Sequence, residues 1–370
     1  MRRKRVRRFF LLCLLAGAFV GLICGLAFGG ASGGGTLKVA ANGAASARAT
    51  PTTQAANSLA GQPMTPERAK LIGANEMGLV LVVVYNKISP TATDASTRTP
   101  SQLRDDLALL DSQGFYPINV DDLVTGDIDI PAGKSPVAVT FDGSSPGQYR
   151  ILDDGSLDPN CAVGVMQSLI DAGYWHPKAT FFCLLNVVPL ENEIFGQSER
   201  QKEKLRNLAD WGYEVGSNTM TDLDLSGASQ DSIRGELAES QIKLDDLIGS
   251  KYAVSSLAVP YGHFPQSMGL LASGTWQSST SQPHTYEYTA VVGLDNTSCP
   301  SPFSTNFQPM HIPRIVCAGD NLSVAIDYLK SHRTLMYISD GDSTTVSAPA
   351  NVDPSLGQPR SDLGRPVVRY

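Results

Sequence analysis

SPVAVTFDG, residues 135–143, is the stretch on which the fold turns. Its apolar run carries no charge before Asp142, which predicts a strand covered on both faces, as strands of a parallel sheet are. A long loop and a helical segment, AVGVMQSLIDAG (162–173), follow it. Upstream, GLVLVVVY (78–85) predicts a second buried strand, and TPSQLRDDLALLDSQG (99–114) an amphipathic helix that starts at a Thr or Ser cap and stops at Gly114. Downstream, KATFFCLL (178–185), YEVGSN (213–218), SSLAVPYG (255–262) and TLMYISD (334–340) read as strands. Between the first three lie helices over RQKEKLRNLADWG (200–212) and QDSIRGELAESQIKLDDLIG (230–249). Strand and helix in alternation imply an α/β fold with a parallel sheet or barrel, and function at the C-terminal strand ends.

The chain of 370 residues is 42% hydrophobic and 18% charged, which excludes a disordered, collagen-like or coiled-coil protein. Its net charge of −7 conceals two unlike ends. MRRKRVRR (1–8) holds six basic residues, and no acid precedes Glu67. From position 67 onward 21 basic residues face 36 acidic ones, a net of −15, so the body advertises no basic face for nucleic acid.

Residues 9–28, FFLLCLLAGAFVGLICGLAF, form an uncharged run that as a helix spans about 30 Å, the thickness of a bilayer core. With the basic cluster inside, everything after Phe28 is expected outside the cytoplasm, anchored to the membrane, or secreted if the signal is cut. A lipoprotein reading is disfavoured by Leu22 and Ile23 ahead of Cys24. Residues 29–66, rich in Gly, Ala, Ser and Thr, read as a flexible tether, 67–345 as the globular domain and 346–370 as a C-terminal tail.

Export makes disulfides available to Cys161, Cys183, Cys299 and Cys317, with three pairings open and Cys299–Cys317 preferred because a loop separates them. No C-x-x-C or Cys/His cluster suggests structural zinc, and no G-x-S-x-G elbow or phosphate-binding glycine loop occurs. Trp211, ending a helix, is expected to pack in the core.

SPVAVTFDG, ATFFCLL, GYEVGSNTMTDLDLS, LAVPYG and TLMYISD occur in the order of the polysaccharide deacetylases, the NodB-homology, carbohydrate esterase 4-like family. The chain resembles an extracellular branch of that family in VVVYNKI, TPSQLRDDLALLDSQGFYPIN, FDGSSPGQYRILDDGSLDPN and SPFSTNFQPMHIPRI. The resemblance implies a distorted (β/α) barrel with an open groove and a divalent metal that activates water for deacetylation.

On that resemblance Asp142 stands at the base position, while Gly143, Asn218 and Asp222 stand where relatives carry metal ligands, an aspartate and two histidines. Ser339 replaces the general-acid histidine, and Ala258 an arginine before the P-Y-G turn. A zinc-like ion wants imidazole or thiolate, and the loss of one carboxylate and both imidazoles leaves it no ligand shell, so no metal cofactor is expected. An all-oxygen set of Asp142, Asn218 and Asp222 for Ca²⁺ or Mg²⁺ is a weaker reading. Tyr261, Gly262 and Arg314 remain at groove positions, and none of His176, His263, His284, His311 and His332 falls on a ligand position. The expectation is a membrane-tethered pseudoenzyme that binds or scaffolds a polysaccharide or peptidoglycan-type glycan. The alternatives are an active hydrolase of N- or O-acetyl groups with an altered site, which would need the metal, and a purely structural partner of an envelope assembly.

Overall fold

The computed structural model describes residues 63–249, 251–278 and 282–370. Eight strands build one sheet: β1 (Leu81–Tyr85), β2 (Phe115–Ile118), β3 (Ser135–Asp142), β4 (Thr180–Cys183), β5 (Glu214–Ser217), β6 (Ser256–Ala258), β7 (Ala290–Val292) and β8 (Ile315–Val316). Their order is β7-β6-β5-β4-β3-β1-β8, with β2 on the first half of β3, and every pairing is parallel. The chain entering β8 also bridges β7 at Val292–Ile312, which draws the two ends of the curled sheet together. The expected α/β fold with a parallel sheet is thus present, curled as a half-barrel where a distorted barrel was expected. Both central strands are buried almost throughout, which is why their apolar runs are unbroken rather than alternating.

Helices cover the outer face. Helix α1 (Pro100–Ser112) begins at a Thr99 capping box completed by Gln102, and it buries Leu103, Leu107 and Leu110, one stripe at helical spacing. Each such leucine contributes about 1.5–3 kcal/mol relative to an exposed one. Helices α2 (Ala162–Asp171), α3 (Gln201–Asp210) and α4 (Gln230–Ile248) lie where the sequence put them, and α5 (Asn321–Ser331) follows β8. Because each strand enters the sheet in the same direction, the C-terminal ends of β3, β5 and β6 share one rim.

Three expectations need correction. The segment 334–340 is not a continuous strand. It makes single bridges, Leu79–Met336 and Asn75–Ile338, at the N-terminal end of β1. Gly78 permits this approach, since any side chain there would collide with the Met336 and Tyr337 backbone. The C-terminal residues are not a free tail either. Val346–Ala348 pairs with Val367–Arg369, Leu356 is buried, and the Tyr370 hydroxyl donates to the Ala74 carbonyl at 2.9 Å. At the other end, Thr65 caps a helix over Pro66–Ile72, and Met64 joins its apolar contacts, so the folded body begins slightly before residue 67. Residues 1–8, 9–28 and the tether as far as residue 62 lie outside the described residues. No helix among the described residues is long and apolar enough to cross a membrane.

The third correction concerns the cysteines. Cys161, Cys183, Cys299 and Cys317 are all buried and free. The Cys299 N–H bonds the Val80 carbonyl and the Cys317 N–H that of Val84, so the two lie four residues apart along β1. That is about 13 Å, well past the roughly 7 Å between Cα atoms that a disulfide tolerates. Burial pushes all four thiols up, which leaves them poor nucleophiles. Alkylation of the denatured, unreduced protein should therefore label all four of these cysteines. A bridged pair found by mass spectrometry would contradict the structure.

Candidate functional site

Asp142 is the last residue of β3 and faces the rim. Both its oxygens are taken by Arg314: Nη1 donates to Oδ1 and Nη2 to Oδ2, each at 2.7 Å. Arg314 comes from the segment entering β8 and its side chain is fully buried. Its Nε donates to the Gly293 carbonyl at 2.8 Å and Nη1 also to Thr140 Oγ1 at 3.0 Å. The guanidinium lies 5.5 Å from the Phe182 ring centroid.

Gly143 follows with φ +83° and has no side chain to offer a metal ligand. Its N–H donates to Asn218 Oδ1 at 3.1 Å, and Asn218 Nδ2 donates to the Ala258 carbonyl at 3.1 Å. Asn218 therefore stitches the end of β3 to the end of β6, across β4 and β5. The loop beyond it turns through two non-glycine residues in the left-handed region, Thr219 (φ +68°) and Asp222 (φ +62°). Glu236 of α4 holds that loop, accepting from the Met220 and Thr221 N–H groups at 2.9 and 2.8 Å and from the Thr221 hydroxyl at 2.6 Å.

Asp222 Oδ2 accepts the Tyr261 hydroxyl at 2.8 Å. Burial raises the Asp222 carboxyl, and the hydrogen bond to Asp222 pushes the Tyr261 phenol up to about 12. Tyr261 (φ +58°) and Gly262 form the tight Pro260–Gly262 turn, and the Tyr261 ring is 56% exposed beside the cleft. Beyond the turn, His263 Nδ1 pairs with Asp224 Oδ2 at 2.8 Å. The cleft measures about 750 Å³, and its lining includes Asn86, Asp142, Gly143, Arg150, Glu191 and Asp222.

Asp142, Gly143, Asn218, Asp222, Tyr261, Gly262 and Arg314 thus come together on one rim. Ser339 does not. Its N–H donates to the Lys134 carbonyl at 2.9 Å and its carbonyl accepts from Gly133, which places it at the N-terminal end of β3. Asp142 is a full strand away, roughly 25 Å. The reason is the position of segment 334–340, which passes the start of β1 and β3 instead of running up to the rim. Trp211, expected in the core, is 41% exposed and touches the Tyr149 ring with a centroid distance of 5.9 Å. Sequence reasoning missed two residues. Glu236 gives no motif signal, only an acid on a helix face. Gln148, fully buried, donates from its amide to the Asn86 and Asp142 carbonyls and ties two walls of the cleft together; a glutamine within the S-S-P-G-Q turn was its only trace.

The donor set does not fit the divalent ion of the family. One ligand position is a glycine, a second is an amide whose oxygen and nitrogen both serve backbone groups, and a third is a carboxylate bonded to a phenol. Asp142, the remaining oxygen donor, faces a guanidinium on both oxygens. This applies to the all-oxygen Ca²⁺ or Mg²⁺ set as much as to zinc.

Replacing Arg314 by Met should cost about 3–5 kcal/mol in urea unfolding, because it strands a mostly buried carboxylate. Arg314→Lys should recover only part of that, since an ammonium cannot reproduce the planar two-point contact. A loss below about 1 kcal/mol for Arg314→Met would mean that the pair does not hold the rim together.

The family model described as polysaccharide deacetylase matches residues 129–274. No curated protein matches the chain. Among solved structures, a polysaccharide deacetylase from Bacillus cereus is 18% identical, with 67% of this chain and 69% of that one covered and a TM-score of 0.49. A Streptococcus pyogenes deacetylase in complex with acetate is 17% identical over 67% of this chain and 98% of its own, with a TM-score of 0.47. A CE4 family pseudoenzyme from Bacillus anthracis is 18% identical over 36% of this chain and 38% of its own, at a TM-score of 0.26. The residues that this family model matches, 129–274, carry Asp142, Gly143, Asn218, Asp222, Tyr261 and Gly262.

Proposed function

We propose that this chain is a glycan-binding or scaffolding member of its family that lacks metal-dependent deacetylation, held at the cell envelope by residues 9–28. The observation that carries the reading is the donor set at the family's ligand positions, where Gly143 has no side chain, Asn218 is bonded at both ends to backbone groups and Asp222 holds the Tyr261 hydroxyl. Arg314 orients Asp142 and leaves each carboxylate oxygen a second lone pair, but a base in this reaction needs a metal-activated water to act on. Asn218 and Asp222 instead brace the rim through hydrogen bonds to Gly143, Ala258 and Tyr261. The cleft stays open, and an exposed Tyr261 ring at its edge is suited to the apolar face of a sugar.

The full chain in detergent micelles, supplied with Zn²⁺ or Co²⁺, should release no acetate from N- or O-acetylated oligosaccharides. It should bind one class of envelope glycan, and Tyr261→Ala should weaken that binding about tenfold, the loss of one stacking contact. Acetate release that vanishes in Asp142→Asn would install the hydrolase reading. Absence of affinity for any polysaccharide or peptidoglycan fragment would leave a purely structural partner.

The membrane tether rests on the six basic residues ahead of an uncharged run of twenty. Protease added to intact cells after wall removal should digest the body. A body protected until the membrane is lysed would overturn the assigned side.

A further inference from the structure

A second cavity, also about 750 Å³, opens at the other end of the sheet, and its lining includes Arg68, Asp129, Asp342 and Thr345. Beside it two carboxylates, Glu76 and Asp340, are buried against one another, at 3% and 0% exposure. Neither belongs to the rim around Asp142.

Three segments of the chain meet on this pair. Glu76 lies just past the helix Pro66–Ile72. Its Oε1 accepts the Asp340 N–H at 3.2 Å and the Tyr337 hydroxyl at 3.4 Å, and its Oε2 accepts the Ser347 N–H at 2.8 Å. Asp340 Oδ1 accepts the Asp342 N–H at 2.7 Å, while Oδ2 accepts the hydroxyls of Thr345 and Ser347 at 2.9 and 2.6 Å. Ser347 is therefore held by its backbone on one carboxylate and by its side chain on the other. It is the central residue of Val346–Ala348, whose partner strand, in register Ser347–Val368, is the last of the chain.

Every one of those donors is neutral, so these contacts are hydrogen bonds rather than ion pairs. The other charged or titratable groups around them are Tyr337, Asp342, Asp129 and Arg68 at the cavity, and Arg365 of the C-terminal segment. Arg365 donates to the Gly126 and Ser343 carbonyls at 3.1 and 2.7 Å. Two buried carboxylates that both hold Ser347 do not both carry charge cheaply. Burial first, and then the Asp340 charge, hold the Glu76 carboxyl well above the ordinary carboxylate range. Burial raises Asp340 too, but two hydroxyls and an N–H stabilise its charged form. The pair accordingly holds one proton between its two carboxyls.

We propose that Glu76 and Asp340 form a proton-dependent clasp that closes residues 345–370 onto the body and loosens when the proton shared by the pair leaves. The sign follows from linkage. An acid whose folded value is raised gives its full stabilisation below the unfolded carboxylate value and loses it as pH rises through the folded one. Between those two values the opening equilibrium of the clasp grows about tenfold per pH unit, one proton being involved, and above the folded value it levels off. Opening separates Ser347 from both carboxylates and releases the paired strand Val367–Arg369.

Hydrogen exchange by mass spectrometry on the full chain in detergent micelles tests this between pH 5 and 9, after correction for intrinsic base catalysis. Peptides covering 344–350 and 364–370 should lose protection as pH rises, while peptides from β3 keep theirs. Glu76→Gln, which retains an acceptor for the Ser347 N–H without an ionisable proton, should flatten the profile. Asp340→Asn, which removes the opposing charge, should move the loss to lower pH-sensitivity by letting Glu76 ionise beside a neutral amide, and it decides the matter alone if Glu76→Gln fails to fold. Identical profiles in wild type and variants, constant protection across the range, or simultaneous loss in β3 would each overturn the clasp.

Discussion

The Arg314 guanidinium is the interaction on which the rim depends. It enters from beside β8, passes the end of β1 and reaches Asp142 and Thr140 on β3, while also holding the Gly293 carbonyl just after β7. One buried cation therefore joins both ends of the curled sheet to its centre. A charge with no exposure is tolerated only when its donors are met and its counter-charge is close, and here four hydrogen bonds supply both. Moving Asp142 would uncover that charge. The floor of the cleft is fixed by this requirement, and the loops around it are free to differ.

Hydrogen bonds hold those loops. Asn218 uses both ends of its amide between Gly143 and Ala258, Asp222 takes the Tyr261 hydroxyl, and Glu236 secures the turn between them. Together they give a buried or half-buried polar rim whose groups satisfy one another. The strained conformations of Thr219, Asp222 and Tyr261 persist because these contacts over-determine them. At the opposite end of the sheet the same economy operates with two acids, Glu76 and Asp340, sharing the residues of one strand.

Some of this was legible in the residues. The continuous apolar runs of β1 and β3 and the capped leucine stripe of α1 report their own burial, because a strand covered on both faces and a helix covered on one impose different periods. The motif order located Asp142, Asn218, Asp222 and Tyr261 on one rim, and Gly143, Asn218 and Asp222 differ from the ligand types that the resemblance implies. Arg314 was placed at the groove, yet its bond to Asp142 was not foreseen, since the two lie 172 positions apart and no local pattern links them.

The sequence by itself determined the strand and helix alternation, and with it a parallel sheet with a functional rim, because side-chain period and capping are local properties of the chain. The tertiary structure decided what each rim residue can do. It directed Arg314 onto Asp142, turned Asn218 and Asp222 into braces, carried Ser339 to the far end of β3, kept Cys299 and Cys317 apart along β1, and folded the C-terminal residues back against Glu76 and Asp340. The physical reason is that hydrogen bonds and ion pairs between distant segments depend on where the sheet brings their ends together, and nothing in the neighbouring residues encodes that distance.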